Sequence, residues 1–159
     1  MIDNDEIYVL DWKLDEDYLY KDWQENYQKN AEAFFEGPMK RPWYFWLVAR
    51  NVDNTIVRDF KKTVSYDFSP RYILHKSKTI LTMHKDLGTE CSINILIKSK
   101  NPAPIDFASG NTYFYKSALL NTQKEHGVKN LNEDRLILKF SFKDTPFNKV
   151  KEELKRWYG

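Results

Sequence analysis

The chain has 159 residues, the length of one ordinary domain, and its 42% hydrophobic and 30% charged content is that of an ordinary globular protein and argues against a disordered chain. A single cysteine, Cys91, excludes an intramolecular disulfide, and no apolar run nears the roughly 18 residues that mark a membrane span. The start, "MIDNDEIYVL", is acidic and lacks the basic region of a secretory signal, so a cytoplasmic protein without a membrane partner is expected. The net charge of +2 hides an asymmetry: residues 1–36 carry eleven acids against three lysines, and residues 37–159 carry twenty-two bases against twelve acids. Either the acidic segment packs on a basic body, or the basic body awaits an anionic partner.

Residues 7–14, "IYVLDWKL", read as a short strand with Tyr8, Leu10, Trp12 and Leu14 on one face. Asp15 follows as an N-cap, with Glu16 and Asp17 in a first helical turn. Leu19, Trp23, Tyr27, Ala31 and Phe34 recur at helical spacing, and Gly37-Pro38 gives a stop, so a long helix is predicted over 16–36. Residues 43–50 read as a strand. Parity puts Trp43, Phe45, Leu47 and Ala49 on one face and Tyr44, Trp46, Val48 and Arg50 on the other. A strand apolar on both faces expects cover on both. Burial is therefore expected for Trp43 and, less completely because it shares a face with Arg50, for Trp46.

Residues 54–66 fit two patterns, since Ile56, Phe60 and Val64 line one face of a helix or of a strand. The plausible turn at Asp53-Asn54 favours the strand. Short strands are predicted at 71–75 and 79–84, joined as a hairpin through "KSK", with "DLGT" at 86–89 as a turn. Strands over 91–98 and 135–142 show the clearest alternation, consistent with antiparallel sheets that have one wet face. Between them, 99–111 reads as a long loop stiffened by Pro102 and Pro104, and 112–125 as a helix stopped by Gly127. A last helix at 146–158 has Thr145 as cap and Pro146 in its first turn. The predicted architecture is one α+β domain over 1–159: a mostly antiparallel sheet of five to seven strands, with the long N-terminal helix and two further helices packed on it.

Several chemistries lack their residues. The five glycines are never closer than 17 positions, which excludes a glycine-rich phosphate cradle. Structural zinc needs four Cys/His ligands, and His75, His84, Cys91 and His126 have no short paired spacing, so no metal is expected. Cys91 lies on the isoleucine face of its strand, where a buried and inert thiol is expected. No catalytic motif and no cofactor signature is present.

The positive signals are modest. "RYILHKSKTILTMHK" presents Arg71, Lys76, Lys78 and Lys85 with His75 and His84 and no acid. As a hairpin it would bind phosphate or an acidic protein, or its lysines would simply protect an exposed edge. These six residues are the predicted ligand-binding site. The expected function is a small non-catalytic binding protein, an inhibitor, adaptor or accessory factor. Two rivals are a single-stranded nucleic-acid or nucleotide binder, to which "RPWYFWLVAR" could lend stacking aromatics, and a metal-independent hydrolase or nuclease using His75 or His84.

Overall fold

The computed structural model describes residues 2–35, 45–77, 80–129, 131 and 133–158. Among them the chain forms β1 (Ile7–Val9), α1 (Glu16–Asp22), β2 (Glu32–Phe35), β3 (Phe45–Arg50), α2 (Thr55–Thr63), β4 (Ser69–His75), β5 (Leu81–His84), β6 (Cys91–Ile97), β7 (Ala103–Phe107), β8 (Thr112–Tyr115), β9 (Ser117–Leu120), β10 (His126–Val128), β11 (Arg135–Phe142) and α3 (Phe147–Tyr158). The strands make two antiparallel sheets. The larger runs β1-β9-β6-β11-β4-β3-β2, and the smaller runs β5-β10-β7-β8. This overturns the single sheet with a long helix packed on it: the chain is mostly β, with short helices.

Each sheet face has its own apolar cluster. The outer face of the larger sheet packs Tyr72, Ile93, Ile95, Leu138 and Phe140 against Leu19 of α1, Phe60 of α2 and Leu154 of α3. Its inner face packs Val48, Ile73, Leu96 and Ile137 against Ile105 and Phe107 of the smaller sheet. The order of layers is thus helices, larger sheet, smaller sheet, with the second interior between the sheets.

The departures from expectation have local causes. Asp15 does cap α1, accepting from the Tyr18 amide at 3.0 Å. The chain stays helical only to Asn30, through a π turn and a 3-10 turn. It then extends as β2, whose Phe34 pairs with Trp46 of β3. The helical spacing of Ala31 and Phe34 was coincidental, and sheet pairing won. Residues 55–63 are helix rather than strand. Asn54 sits in extended backbone with its side chain accepting from the Val57 amide at 2.9 Å, an N-cap that the turn reading overlooked. The expected loop 99–111 contains β7, disguised by Pro104. The expected helix 112–125 is β8, β9 and a turn, in which the aromatic and β-branched run Thr112–Tyr115 follows its strand preference. α3 agrees with 146–158 to within a residue, with Phe147, Val150 and Leu154 buried and Trp157 exposed.

The N-terminal acids do pair with the basic body. Asp3 meets Lys151 and Lys155, and Asp5 meets Lys124. Cys91 is buried, and burial, reinforced by Glu90, pushes its thiol up to about 12. Trp43 lies outside the described residues. Trp46 is only half-buried, stacked on Phe34 with ring centroids 6.0 Å apart. Among the described residues no helix is long and apolar enough to cross a membrane.

Candidate metal centre

β5 ends at His84. Asp86 follows in a turn where Gly88 takes φ +73, and β10 opens with His126 directly opposite His84. Between these two strands the backbones run unusually close. A Cβ on Gly127 would lie 2.5 Å from the Leu81 carbonyl oxygen, so glycine is needed beside His126.

The result is a tight cluster. Nε2 of His84 and Nε2 of His126 each lie 3.3 Å from the same Asp86 Oδ1. The other nitrogen of each ring is committed: Nδ1 of His84 lies 2.6 Å from the Thr82 carbonyl, and Nδ1 of His126 lies 2.8 Å from the Lys124 carbonyl. A carbonyl can only accept, so each Nδ1 carries the proton and donates it. Each ring therefore turns its Nε2 to the same carboxylate oxygen. Two Nε2 lone pairs and a carboxylate converging on one point would repel, so the arrangement calls for positive charge there, either Nε2 protons donated to Asp86 or a metal ion among the three.

The donor set fits a metal ion. Ligands about 2.1 Å from an octahedral ion stand about 3 Å apart at adjacent positions, close to the separations here. Both imidazoles are oriented by backbone carbonyls through Nδ1, the usual support for a ligating histidine. Two histidines and one carboxylate on one side, leaving other positions open, form the facial arrangement that holds non-haem iron(II). Burial opposes the charge on Asp86. Hydrogen bonds from His126 and His84 and the charge of Lys139 outweigh it and hold the carboxyl well below the usual range. Lys139 Nζ donates to Asp86 Oδ2 at 3.3 Å.

The cluster opens into a cavity of about 180 Å³ between the sheets, also lined by Trp46, Asn94, Tyr115 and, on the β4–β11 pair, His75 and Arg135. Arg135 is buried and donates to His75 Nδ1 at 3.2 Å. Its Nε has no hydrogen-bond partner, and among the described residues no carboxylate pairs with it. Burial, then the charges of Arg135 and Lys139, push His75 well below the ordinary histidine range and keep it neutral. Among the described residues, the far side of the cavity thus holds a buried cation without an anion.

The predicted binding residues do not form one surface. β4 and β5 lie in different sheets, so the basic hairpin over 71–85 does not exist. His84 joins the metal cluster and His75 joins Arg135. Lys76 donates to Asp134 at 3.1 Å. Lys85 is exposed and outside the cavity lining, Arg71 sits on β4, and Lys78 lies outside the described residues. Asp86, His126, Arg135 and Lys139 were missed. The available signal was the spacing His84-x-Asp86 with a later histidine. A zinc count limited to Cys and His passes over it.

No protein-family model matches the chain, and no curated protein sequence matches it. Solved structures do. A prolyl-4-hydroxylase from Pseudomonas putida superposes with a TM-score of 0.56 at 12% identity, over 82% of this chain and 88% of that one. The viral collagen prolyl hydroxylase of Paramecium bursaria chlorella virus 1, a 2-oxoglutarate complex, gives 0.54 at 14%, over 88% and 96%. The fold is the jelly roll of these hydroxylases. HygX of Streptomyces hygroscopicus, solved with nickel and 2-oxoglutarate, gives 0.52 at 12%, over 87% and 82%. At such identities the likeness establishes architecture alone. The expected non-catalytic inhibitor or adaptor is overturned: the chain has the fold of these enzymes and a His84–Asp86–His126 cluster that could hold a metal ion.

Proposed function

We propose that the protein is an iron(II)-dependent oxygenase that consumes a 2-oxo acid, 2-oxoglutarate being the first candidate. The observation that carries this reading is the convergence of His84 Nε2, His126 Nε2 and Asp86 Oδ1, with both Nδ1 atoms tied to backbone carbonyls. Iron(II) bound by these three residues would supply the dioxygen chemistry that side chains cannot. The balanced reaction is a hydroxylation. The 2-oxo acid loses its carboxyl carbon as CO2 and takes one oxygen atom of O2, giving succinate from 2-oxoglutarate. The other oxygen atom enters a C–H bond of the substrate, giving an alcohol.

The chain's own residues supply binding and orientation. Arg135 offers its guanidinium, whose Nε has no partner among the described residues, to the distal carboxylate of the 2-oxo acid, a charge-assisted contact strengthened by burial. His75, held neutral, accepts from Arg135 and fixes the direction of that fork. Tyr115 and Asn94, hydrogen-bonded to each other at 3.1 Å, offer polar contacts in a cavity whose apolar wall includes Ile73, Ile105 and Leu120. The reducing cytoplasm expected from the lone cysteine suits a ferrous ion.

The test has two steps. Manganese(II) should raise the melting temperature of the wild type, and Asp86→Asn or His126→Ala should abolish that rise. With iron(II), ascorbate and air, the wild type should convert 2-oxoglutarate to succinate. Arg135→Gln should keep the metal-induced rise and lose 2-oxoglutarate binding. An undiminished metal response in Asp86→Asn would refute the centre.

A further inference from the structure

Register brings three cations into line on the inner face of the larger sheet. Arg50 of β3 stands opposite Arg71 of β4, and Arg71 stands opposite Lys139 of β11. The period of two fixes the face. Val48, Ile73 and Ile137 form the next row in, and all three pack between the sheets. Trp46, His75 and Arg135 form the row beyond.

Like charges directly opposite one another in a sheet destabilise it. Here the compensation is thin. Arg50 lies over the Phe34 ring and has only a 3.8 Å contact with Glu32, which is itself largely exposed. Lys139 shares Asp86 with the metal centre. The Arg71 side chain, in the middle, is half-buried and makes no hydrogen bond or ion pair with any described residue. Burial and the neighbouring Arg50 both oppose its charge, and only the more distant Asp86 favours it.

We propose that Arg71 and Arg50, with Lys139 behind them, bind an anionic group of the substrate, a carboxylate or a phosphate, at the rim of the metal centre. The inference rests on the oxygenase reading and specifies its substrate class. The guanidinium fork suits both anions because it can donate two parallel hydrogen bonds. The anion is not the 2-oxo acid. Arg135 and Lys139 are four residues apart on one strand, about 13 Å. A five-carbon diacid held at Arg135 and at the metal cannot also reach Arg71. Two cationic sites, one deep and one at the rim, flank the centre and serve two different molecules.

The test uses inorganic phosphate as the probe, on 15N-labelled, metal-free full-length protein at constant ionic strength. The chain has only six arginines, so their Nε–Hε signals are separable. Phosphate should shift the Arg71 and Arg50 signals saturably. Arg71→Gln should weaken phosphate binding about tenfold, the loss of one charged hydrogen-bonded contact. Arg71→Lys should weaken it less, and Arg135→Gln should leave it unchanged. Arg71→Gln should also melt at a higher temperature than the wild type, because it removes an unpaired cation from between two others. Arg50→Gln, nearer the edge, gives a second reading should Arg71→Gln fold poorly. No saturable binding by the wild type up to about 50 mM, or binding indifferent to both Arg71 and Arg50, overturns the proposal. In a parallel titration of the manganese-loaded protein, failure of 2-oxoglutarate to bind while phosphate still depends on Arg71 would overturn the cosubstrate reading and leave the rim site standing.

Discussion

Gly127→Ala tests whether the metal centre depends on the close approach of β5 and β10. The added Cβ would meet Leu81 O at 2.5 Å, the Thr82 carbonyl carbon at 3.1 Å and Met83 N at 3.2 Å. All three are backbone atoms, so no side chain can swing aside. Reaching ordinary contact at 3.4 Å requires the ladder to open by about 0.9 Å at its tightest point. Overpacking of this kind costs about 1–3 kcal/mol, which lowers the melting temperature by roughly 2–10 °C in a domain of this size. The effect on the centre should be larger in proportion. His126 precedes Gly127, His84 lies on the displaced strand, and a site tolerates only about 0.5 Å of misplacement before binding suffers. We expect the folded variant to bind manganese(II) at least about tenfold more weakly, measured by calorimetric titration below its melting temperature. Wild-type metal affinity in a folded Gly127→Ala protein would refute the argument that strand proximity sets the ligand geometry.

Two further predictions concern the buried polar groups. His75 is neutral in the folded protein and titrates near about 6.5 when unfolded, so below that pH the unfolded chain binds the extra proton. Stability should therefore fall as pH drops from 6.5 towards the depressed native value, at up to about 1.4 kcal/mol per unit, and His75→Asn should lose that part of the slope in urea melts between pH 6.5 and 5. Identical slopes would count against it. On the outer face, the fully buried Tyr72 hydroxyl donates to Asp22 Oδ2 at 2.8 Å, beside donations to Asp22 from Asn54 and Asn26. Tyr72→Phe leaves that buried carboxylate one donor short and should cost roughly 1.5–3 kcal/mol in denaturant unfolding; a neutral result would show that the remaining amides suffice.

Much of the β structure was legible in the sequence. The alternation in 91–98 and 135–142 placed β11, the central strand of the larger sheet, and β6, one of its two neighbours. Asp15 identified the start of α1, and the Thr145-Pro146 start identified α3. What failed was the choice between periods where a segment satisfied both. Ile56, Phe60 and Val64 are spaced by four, which suits a helix and also one face of a strand. The deciding group was the Asn54 side chain, whose capping bond forms only with the helix in place. Phe34 failed in the opposite direction, because its partner Trp46 comes from a distant segment.

The metal centre was hidden for a related reason. His84 and His126 are adjacent only because β5 and β10 pair, which no local pattern announces, and Asp86 read as an ordinary turn residue. A subtler misreading concerned the polar face of the central strands. Ser92 and Asn94 on β6, and Arg135 and Lys139 on β11, alternate with large apolar residues, and such alternation predicts one face in water. Yet Cys91–Ile97 is buried throughout, and Arg135 is buried as well. The polar residues face the cavity between the sheets. In a two-sheet fold, a polar stripe on a central strand has two explanations: solvent or site. A solvent face tolerates any mixture of charges. The stripe on β3, β4 and β11 instead aligns Arg50, Arg71 and Lys139 in direct register, and among the described residues the carboxylates paired with them are Asp86, already committed to the histidines, and the largely exposed Glu32. That concentration of one sign against buried apolar rows is costly in itself. It is accounted for if ligands bring the missing negative charge, which makes the charge imbalance of the strand pattern, rather than any motif, the sequence feature closest to function.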